Sequence, residues 1–230
     1  MSSDLYDRHF YQRRRQATLH AARRILGLVR TQIAFRSVVD FGCGTGTWLS
    51  VAKELGAENV RGYEGSWLRA EWLDEPGLDI QPAALEQPLP VAGTYDLAIS
   101  LEVAEHLPAS RAESFVAELC GAARHVLFSA APPGQTGDGH IHERWPDYWV
   151  ALFAAQGYAV RDLIRTQVWD DAGIPYWYRQ NCLLFVHGAT EMRAGPLNLV
   201  HPEQFMALQK RQDDLSVRAL LVAALKRIWP

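Results

Sequence analysis

The sequence predicts an α/β protein with a doubly wound sheet of seven strands and helices on both faces. Short apolar runs alternate along the chain with segments of helical periodicity, which is the pattern of a mostly parallel sheet. A strand, a glycine-rich turn and a helix follow one another over residues 37–55, as at the entrance of a nucleotide-binding unit. At 230 residues, the chain suits one domain with added terminal segments.

Two long amphipathic helices are expected at the ends of the chain. In the first, over residues 4–33, Ala22, Ile25, Leu26 and Val29 form one apolar stripe. The second covers residues 201–229, and its apolar stripe could pack on the domain or on a partner in a homodimer. We therefore divide the chain into a helical cap (1–36), a central domain (37–187), and a linker with an amphipathic helix (188–230).

The remaining elements follow in order between these helices. Strands are expected at residues 37–41, 59–63, 78–80, 95–100, 125–130, 158–164 and 176–186. Helices are expected over residues 47–55, after a capping box of Ser110 and Glu113, and from Pro146 to Gly157. A loop rich in glycine and proline follows the fifth strand, and residues 165–175 are read as another loop.

Charge is distributed unevenly along the chain, although the formal net charge is only −3. Residues 1–36 hold eight arginines against two aspartates, whereas residues 37–198 hold 21 acidic and 10 basic residues. An acidic central region makes nucleic acid an unlikely partner. No apolar run approaches the roughly 20 residues of a membrane span, and three scattered cysteines suit a reducing, cytoplasmic setting.

The glycine-rich turn reads D-F-G-C-G-T-G from Asp40 to Gly46, so it lacks the G-x-G-x-x-G spacing of a dinucleotide site. It resembles the first motif of class I S-adenosylmethionine (SAM) methyltransferases. That resemblance implies a Rossmann-like sheet whose last strand is antiparallel. It also implies that Asp40 lies near the methionine end of SAM, with Gly42, Cys43, Gly44 and Gly46 lining the cofactor.

The rest of the expected cofactor site follows from strand ends and from the same resemblance. Glu64 ends the second strand 24 residues after Asp40, where a carboxylate can hold both ribose hydroxyls. Ala84 stands where the family often has an adenine-binding Asp, so we expect adenine to contact other groups nearby. The remaining members of the expected set are Trp67, Leu85, Glu86 and Leu101, and in the family a leading helix, here with Tyr6, Phe10 and Tyr11, often covers the cofactor.

Candidate catalytic groups follow the fourth and fifth strands: His106, His140 and His142. Glu102, Glu105 and His106 form an E-x-x-E-H motif, which resembles metal-using O-methyltransferases of the ubiquinone pathway and of small RNA. With His140, these residues are a candidate site for Mg²⁺ or Zn²⁺, which could orient a hydroxyl and lower its pKa. The same motif is common in class I methyltransferases that use no metal, so both alternatives stay open.

The last third of the chain resembles bacterial methyltransferases linked to glycans and secondary metabolites, through the W-Y-R-Q-N run at 177–181. We therefore expect SAM-dependent O-methylation of a small polar molecule or sugar in natural product or glycan biosynthesis. Arg179, Gln180 and Asn181 either line the acceptor pocket or form an internal network. The alternatives are an RNA 3′-end 2′-O-methyltransferase, a non-catalytic SAM-binding partner subunit and, third, an NAD dehydrogenase.

Overall fold

Seven strands form one mixed sheet: β1 (Ser37–Phe41), β2 (Asn59–Glu64), β3 (Asp79–Pro82), β4 (Leu97–Leu101), β5 (His125–Ser129), β6 (Tyr158–Arg161) and β7 (Leu183–His187). Their order across the sheet is β3-β2-β1-β4-β5-β7-β6. The computed structural model describes residues 8–91, 93–193 and 195–228, with side chains described from residue 14 to residue 217 in the terminal helices.

Seven α-helices accompany the sheet: α1 (Arg8–Gln32), α2 (Thr47–Glu54), α3 (Ala112–Ala122), α4 (Pro146–Ala155), α5 (Arg165–Val168), α6 (Tyr176–Asn181) and α7 (Pro202–Ile228) within the described residues. The helix predicted to begin at Pro146 does begin there. Proline suits the first helical turn because an N–H at that position would have no intrahelical partner. The helix after the glycine turn ends beside Gly56, whose φ of 99° places it in the left-handed region.

The predicted fold class is confirmed. Strands β1 to β5 pair in parallel, whereas β7 runs antiparallel to both β5 and β6. Strand order reverses between β1 and β4, so a crevice opens at the carboxyl ends of these two neighbours. Asp40 on β1 lies opposite Ile99 on β4, which places the glycine-rich turn at this crevice.

Hydrophobic side chains fill both faces of the sheet. On one face, Phe115 of α3 and Phe153 of α4 pack in a single cluster with strand residues. On the other face, Ile25 and Leu26 of α1 join Leu49 of α2. The predicted apolar stripe of the first helix is therefore buried against the sheet, which anchors α1 beside the crevice.

The prediction of a strand over residues 176–186 is wrong in its first half. Residues Tyr176–Asn181 form α6, and β7 begins only at Leu183. Pro175 precedes the helix, and its carbonyl accepts hydrogen bonds from the backbone N–H groups of Tyr178 and Arg179. These turn contacts outweigh the strand preference of the aromatic residues, so the aromatic side chains project from a helix.

Three smaller predictions are also wrong. No capping box forms, because Ser110 lies in a 3₁₀ helix (Ala109–Arg111) and α3 starts at Ala112 without a side-chain cap. The expected loop at 165–175 contains the short α5, which the buried Arg165 opens with hydrogen bonds to Asp162. Strand β6 stops at Arg161 rather than at residue 164.

Two predictions concern residues that fall outside the description. The prediction that the leading helix covers the cofactor concerns Tyr6, which lies outside the described residues, and the side chains of Phe10 and Tyr11, which lie outside them as well. The predicted apolar stripe of α7 lies outside them beyond position 217. The three-part division of the chain stays a prediction. None of the helices within 8–91, 93–193 and 195–228 combines the length and the apolarity that crossing a bilayer requires.

Candidate functional site

The glycine-rich turn takes a backbone path that side chains rarely allow. Gly42, Gly44 and Gly46 have φ angles of 82°, 54° and 83°. A Cβ at Gly42 would lie 2.4 Å from Cγ2 of Val103, and a Cβ at Gly46 would lie 2.5 Å from Cδ1 of Leu78. Because L-residues disfavour this region and these contacts are too close, glycine is needed at both positions. The turn then delivers the N-terminus of α2 to the crevice.

Glu64 joins the end of β2 to this turn. Its Oε2 accepts a hydrogen bond from Gly44 N at 2.7 Å, and its Oε1 accepts one from Gly65 N at 2.8 Å. The residue is 8% exposed, so burial raises the pKa of its carboxyl while the two N–H donors oppose that rise. Glu64 therefore fixes the turn and presents its remaining lone pairs to the crevice.

Asp40 is buried at the end of β1, and its Oδ2 has no hydrogen-bond partner among the described residues. Burial raises its pKa well above the usual range, and the nearby Glu64 carboxyl adds to that rise. A buried carboxyl oxygen without a partner is costly unless a ligand donor meets it. Asp40 and the glycine cradle thus fit a ligand that carries N–H or O–H donors.

A cavity of about 420 Å³ connects these groups with the histidines after β4 and β5. That volume lies within the range of small-ligand sites. Of the predicted site residues, those that line it are Asp40, Gly42, Cys43, Gly44, Glu64, Leu85, Leu101, Glu102, Glu105, His106 and His140. Gly46, Trp67, Glu86 and His142 are not among its lining residues. The structure therefore brings most of the two predicted sets into one cavity.

The segment expected near adenine is held by a residue that the sequence did not indicate. Leu85 is buried, and its carbonyl accepts a hydrogen bond from Nε of Arg111 at 3.1 Å. The same guanidinium donates to the carbonyl of Gln87 at 3.0 Å and pairs with Glu118 at 2.5 Å. Arg111 thus fixes the backbone of this segment, which carries Ala84 in place of an acidic side chain.

Three predicted residues converge at the other end of the cavity: Glu105, His106 and His140. Their ligand atoms all lie within 4.8 Å of one another. The two imidazole rings meet at right angles with centroids 4.8 Å apart, and Nε2 of His140 lies 3.9 Å from Oε1 of Glu105. A carboxylate and two imidazoles at this separation could hold a divalent cation or take a proton from an acceptor.

Burial shifts the pKa values of this group in opposite directions. Glu105 is fully buried, and neither carboxyl oxygen has a hydrogen-bond partner among the described residues. Burial, and then the neighbouring Glu102 carboxyl, raise the pKa of Glu105 well above the usual range. Burial together with the adjacent His140 lowers the pKa of His106 to about 4. His106 is therefore neutral near pH 7, and it offers a nitrogen lone pair.

Glu102 lines the cavity but lies outside the convergent group. Its φ of 58° takes the backbone out of a helical path directly after β4, so Glu102 does not share a helix face with the later motif residues. Its Oε1 accepts from Nδ2 of Asn181 at 3.0 Å, and its Oε2 accepts from Nε2 of Gln135 at 2.6 Å. Two amides thus hold this carboxylate, and sequence spacing alone gave no sign of either contact.

His142 is placed away from the cavity. The residue is 4% exposed, and the centroid of its ring lies 5.6 Å from the ring centroids of both Tyr148 and Trp149. Its Nε2 accepts a hydrogen bond from Nε of Arg144 at 3.1 Å. These contacts give His142 a packing environment, so His106 and His140 are the predicted histidines that reach the site.

Several lining residues were not predicted as site residues. They include Gln135 to Asp138 in the loop after β5, Tyr176 to Tyr178 of α6, Trp48 of α2, and Arg14, Arg15 and Arg211 of the terminal helices. The run at 177–181 stands out in the sequence, but only the helix explains why its first residues face the cavity. Its last three residues form an internal network instead, in which Gln180 Nε2 donates to Asn181 Oδ1 at 2.9 Å and to Gln204 Oε1 at 2.7 Å.

Comparisons with known proteins agree with this architecture. A family profile described as "Methyltransferase domain" matches residues 11–163. No curated protein matches the chain. Among solved structures, the methyltransferase domain of bacterial CtHen1-C aligns at 21% identity and a TM-score of 0.53, covering 74% of this chain and 100% of that chain.

Two further solved structures share the fold. Magnesium protoporphyrin IX methyltransferase (ChlM) from Synechocystis PCC 6803, with bound SAM, has 19% identity and a TM-score of 0.53, over 75% of this chain and 79% of its own. The sugar N-methyltransferase KedS8 from Streptoalloteichus sp ATCC 53650 has 15% identity and a TM-score of 0.57, over 79% of this chain and 92% of its own. At these identities, the likeness is one of fold.

Proposed function

This chain belongs to the methyltransferase domain family, and we propose that it transfers the methyl group of SAM to a hydroxyl of a small polar molecule or sugar. One observation carries the proposal above all. A single cavity joins the glycine cradle and Glu64 at one end to Glu105, His106 and His140 at the other. We infer that the cradle end takes the nucleoside cofactor and that the polar end takes the group that is to be methylated.

The residues of the cradle fit SAM. Gly42 and Gly44 permit the backbone to approach the cofactor, and the unpartnered Oδ2 of Asp40 would accept from its ammonium group. The lone pairs that Glu64 does not use on Gly44 and Gly65 would accept from the ribose hydroxyls. Bound SAM supplies a methyl carbon activated by a sulfonium, so the protein has to align the acceptor and manage its proton.

The histidine end of the cavity would perform that second task. His106 and His140 offer imidazole nitrogens to an acceptor hydroxyl, next to the buried carboxyl of Glu105. Glu105, His106 and His140 would also hold a divalent cation, which would orient the hydroxyl and lower its pKa. Two nitrogens and one oxygen suit Zn²⁺ better than Mg²⁺, which prefers oxygen ligands.

A sugar-like acceptor is supported by the aromatic wall of the cavity. Tyr176 and Trp177 line it, and the guanidinium of Arg14 lies 5.6 Å from the centroid of the Trp177 ring. The C–H faces of sugar rings stack on such aromatic surfaces, while hydroxyls meet the polar groups nearby. We place this acceptor in natural product or glycan biosynthesis as part of the same proposal, and the sugar N-methyltransferase among the solved structures shows that the fold can serve a sugar acceptor.

An RNA 3′-end 2′-O-methyltransferase is the second candidate. It is favoured by the convergence of Glu105, His106 and His140 from the E-x-x-E-H segment and the later loop. It is opposed by the excess of acidic residues between positions 37 and 198. RNA binding that weakens steeply as salt increases would favour this candidate over a sugar acceptor.

Dimerisation through the terminal helices belongs to the same proposal. The described part of α7 exposes four large apolar side chains: Phe205, Met206, Leu215 and Val217. Burial of such side chains against a second copy would remove apolar surface from water. Sedimentation of the whole chain at several protein concentrations tests this dimerisation. A monomer at every concentration would contradict it.

The test of the proposed function is transfer of a radiolabelled methyl group from SAM to a panel of polar acceptors, including sugars, amino sugars and short RNA. We expect transfer to a hydroxyl acceptor, with strong loss in His106→Ala and little change in the exposed control Glu113→Gln. Loss of activity on chelation and its return with Zn²⁺ or Mg²⁺ would support the metal. Activity that is unchanged by chelation would remove the metal from the proposal, and transfer only to amines would remove the hydroxyl.

A further inference from the structure

We propose that Glu143 is a positioning residue that fixes the ring of His140, with Nδ1–H directed at Glu143 and the Nε2 lone pair directed at the cavity. The inference rests on the proposed function in one respect, since it names the atom through which His140 works there. Glu143 itself is not among the cavity-lining residues, so it would act through His140.

Glu143 is an acceptor at both of its oxygens. Oε2 accepts a hydrogen bond from Gly134 N at 2.8 Å, and Oε1 accepts one from Thr136 N at 2.7 Å. Nδ1 of His140 lies 2.8 Å from the same Oε1. Backbone N–H groups only donate, so both oxygens already serve as acceptors. The His140 contact is therefore satisfied when Nδ1 carries the hydrogen and donates it.

The loop around this carboxylate has a conformation that needs such support. Gly134 and Thr136 have φ angles of 87° and 55°, and the second value is uncommon for a residue with a branched side chain. Both of their N–H groups point at Glu143. The carboxylate therefore ties the start of the loop to His140 at its far end, and it sets the ring and the loop together.

The opposite edge of the His140 ring is equally confined. Its Nε2 lies 3.9 Å from Oε1 of Glu105, and the His106 ring packs edge-on against it. A Cβ built on Gly137 would lie 2.3 Å from the same Nε2, so only glycine leaves room for the ring at that point. The ring thus has one orientation, with Nε2 inside the group formed by Glu105, His106 and His140.

This orientation decides what His140 can do. A neutral imidazole with hydrogen on Nδ1 has its single ring lone pair on Nε2. That lone pair can bind a cation or accept a hydroxyl hydrogen, and a carboxylate on the other nitrogen strengthens either role. The tautomer with hydrogen on Nε2 would instead place a donor among the group and leave the lone pair facing Glu143.

Imidazole nitrogen NMR of the whole chain tests the tautomer directly. Long-range ¹⁵N–¹H spectra at a pH where the imidazole is neutral should show hydrogen on Nδ1 of His140, assigned by loss of its signals in His140→Gln. In Glu143→Leu we expect loss of this preference, and in the control Glu113→Gln no change. Hydrogen on Nε2 in the wild-type chain, or an unchanged tautomer in Glu143→Leu, would overturn the inference. If Glu143→Leu fails to fold, Glu143→Gln replaces it, and the wild-type spectrum still decides.

A second readout uses Zn²⁺ alone as the probe, in competition with a chromophoric chelator. Removal of a carboxylate that supports a ligating histidine typically weakens metal binding about 10- to 100-fold, and we expect that loss in Glu143→Gln. Equal Zn²⁺ affinity in wild type and Glu143→Gln would contradict the inference. Absence of Zn²⁺ binding by the wild type would instead contradict the metal part of the proposed function, and the tautomer measurement would then decide on Glu143.

Discussion

Substitution of Glu64 by Gln separates the proposed cofactor role of this carboxylate from its role in holding the glycine-rich turn. In the wild type, one oxygen accepts from Gly44 N at 2.7 Å and the other accepts from Gly65 N at 2.8 Å. A glutamine side chain has nearly the same shape, but one of its two terminal atoms is a donor. One backbone N–H would therefore face a second donor in a nearly buried site.

The expected magnitudes follow from these contacts. A buried N–H that loses its acceptor costs about 1–3 kcal/mol, so the free energy of unfolding should fall by about that amount. In the complex of the variant with SAM, the ribose hydroxyls would also lose an ionised acceptor. Hydrogen bonds to charged groups contribute about 1.5–3 kcal/mol. Since about 1.4 kcal/mol corresponds to a tenfold change, the Kd for SAM should rise by roughly 10- to 100-fold.

Isothermal titration calorimetry with SAM measures the affinity, and urea denaturation measures the loss of stability. Glu113→Gln is the matched control, because Glu113 is an exposed carboxylate on α3. If Glu64→Gln binds SAM as tightly as the wild type while its stability falls, Glu64 holds the turn but does not contact the cofactor. If both quantities are unchanged, the hydrogen bonds assigned to this carboxylate are refuted as well.

Three further predictions concern the other end of the cavity. Gly137→Ala should reduce methyl transfer at least tenfold, because the new Cβ would lie 2.3 Å from His140 Nε2. The control Gly121→Ala should leave activity unchanged, because a Cβ at that position would have no neighbour within 4 Å. Asn181→Ala should lower the free energy of unfolding by about 2–3 kcal/mol, because buried oxygens of Glu102 and Gln135 lose their donor. The control Asn198→Ala, at an exposed position, should change it by less than about 1 kcal/mol. Equal losses of the two variants in urea denaturation would count against the amide network. The pKa of His106 in the folded chain, about 4, lies below its ordinary value of about 6.5. Because the unfolded chain therefore binds more protons between these values, the contribution of His106 to stability is lost as pH falls from about 6.5 toward 4. A His106→Gln chain that shows the same loss would refute that assignment.

Local patterns predicted the fold because the sheet depends on them. Apolar strands alternating with amphipathic helices dictate a layered parallel sheet, and the glycine-rich turn located the crevice at the end of β1. The resemblance added the antiparallel last strand. Sequence reasoning failed at residues 176–181, where aromatic residues indicated a strand. Pro175 and buried contacts of Arg179, Gln180 and Asn181 favour a helix there, and those contacts join residues far apart in the chain.

The candidate site could be predicted only in part, for a similar reason. The residue types at the ends of β1, β2 and β4 follow from topology, so Asp40, Glu64 and Glu105 could be located in advance. Which histidine of the later loop reaches the cavity depends on the path of that loop. Glu143 accepts hydrogen bonds from Gly134 and Thr136, both in the left-handed region, and it contacts His140. The arginines of the terminal helices reach the cavity through tertiary packing, which periodicity does not reveal.

The central claim is that the cavity beside Asp40 binds SAM, and a calorimetric titration of the wild-type chain tests it most directly. We predict one molecule of SAM bound per chain, displaced by S-adenosylhomocysteine and unaffected by NAD. The glycine spacing and the unpartnered oxygen of Asp40 are the structural reasons for that choice. Binding of NAD in preference to SAM, or no binding of SAM at millimolar concentration, would contradict the account.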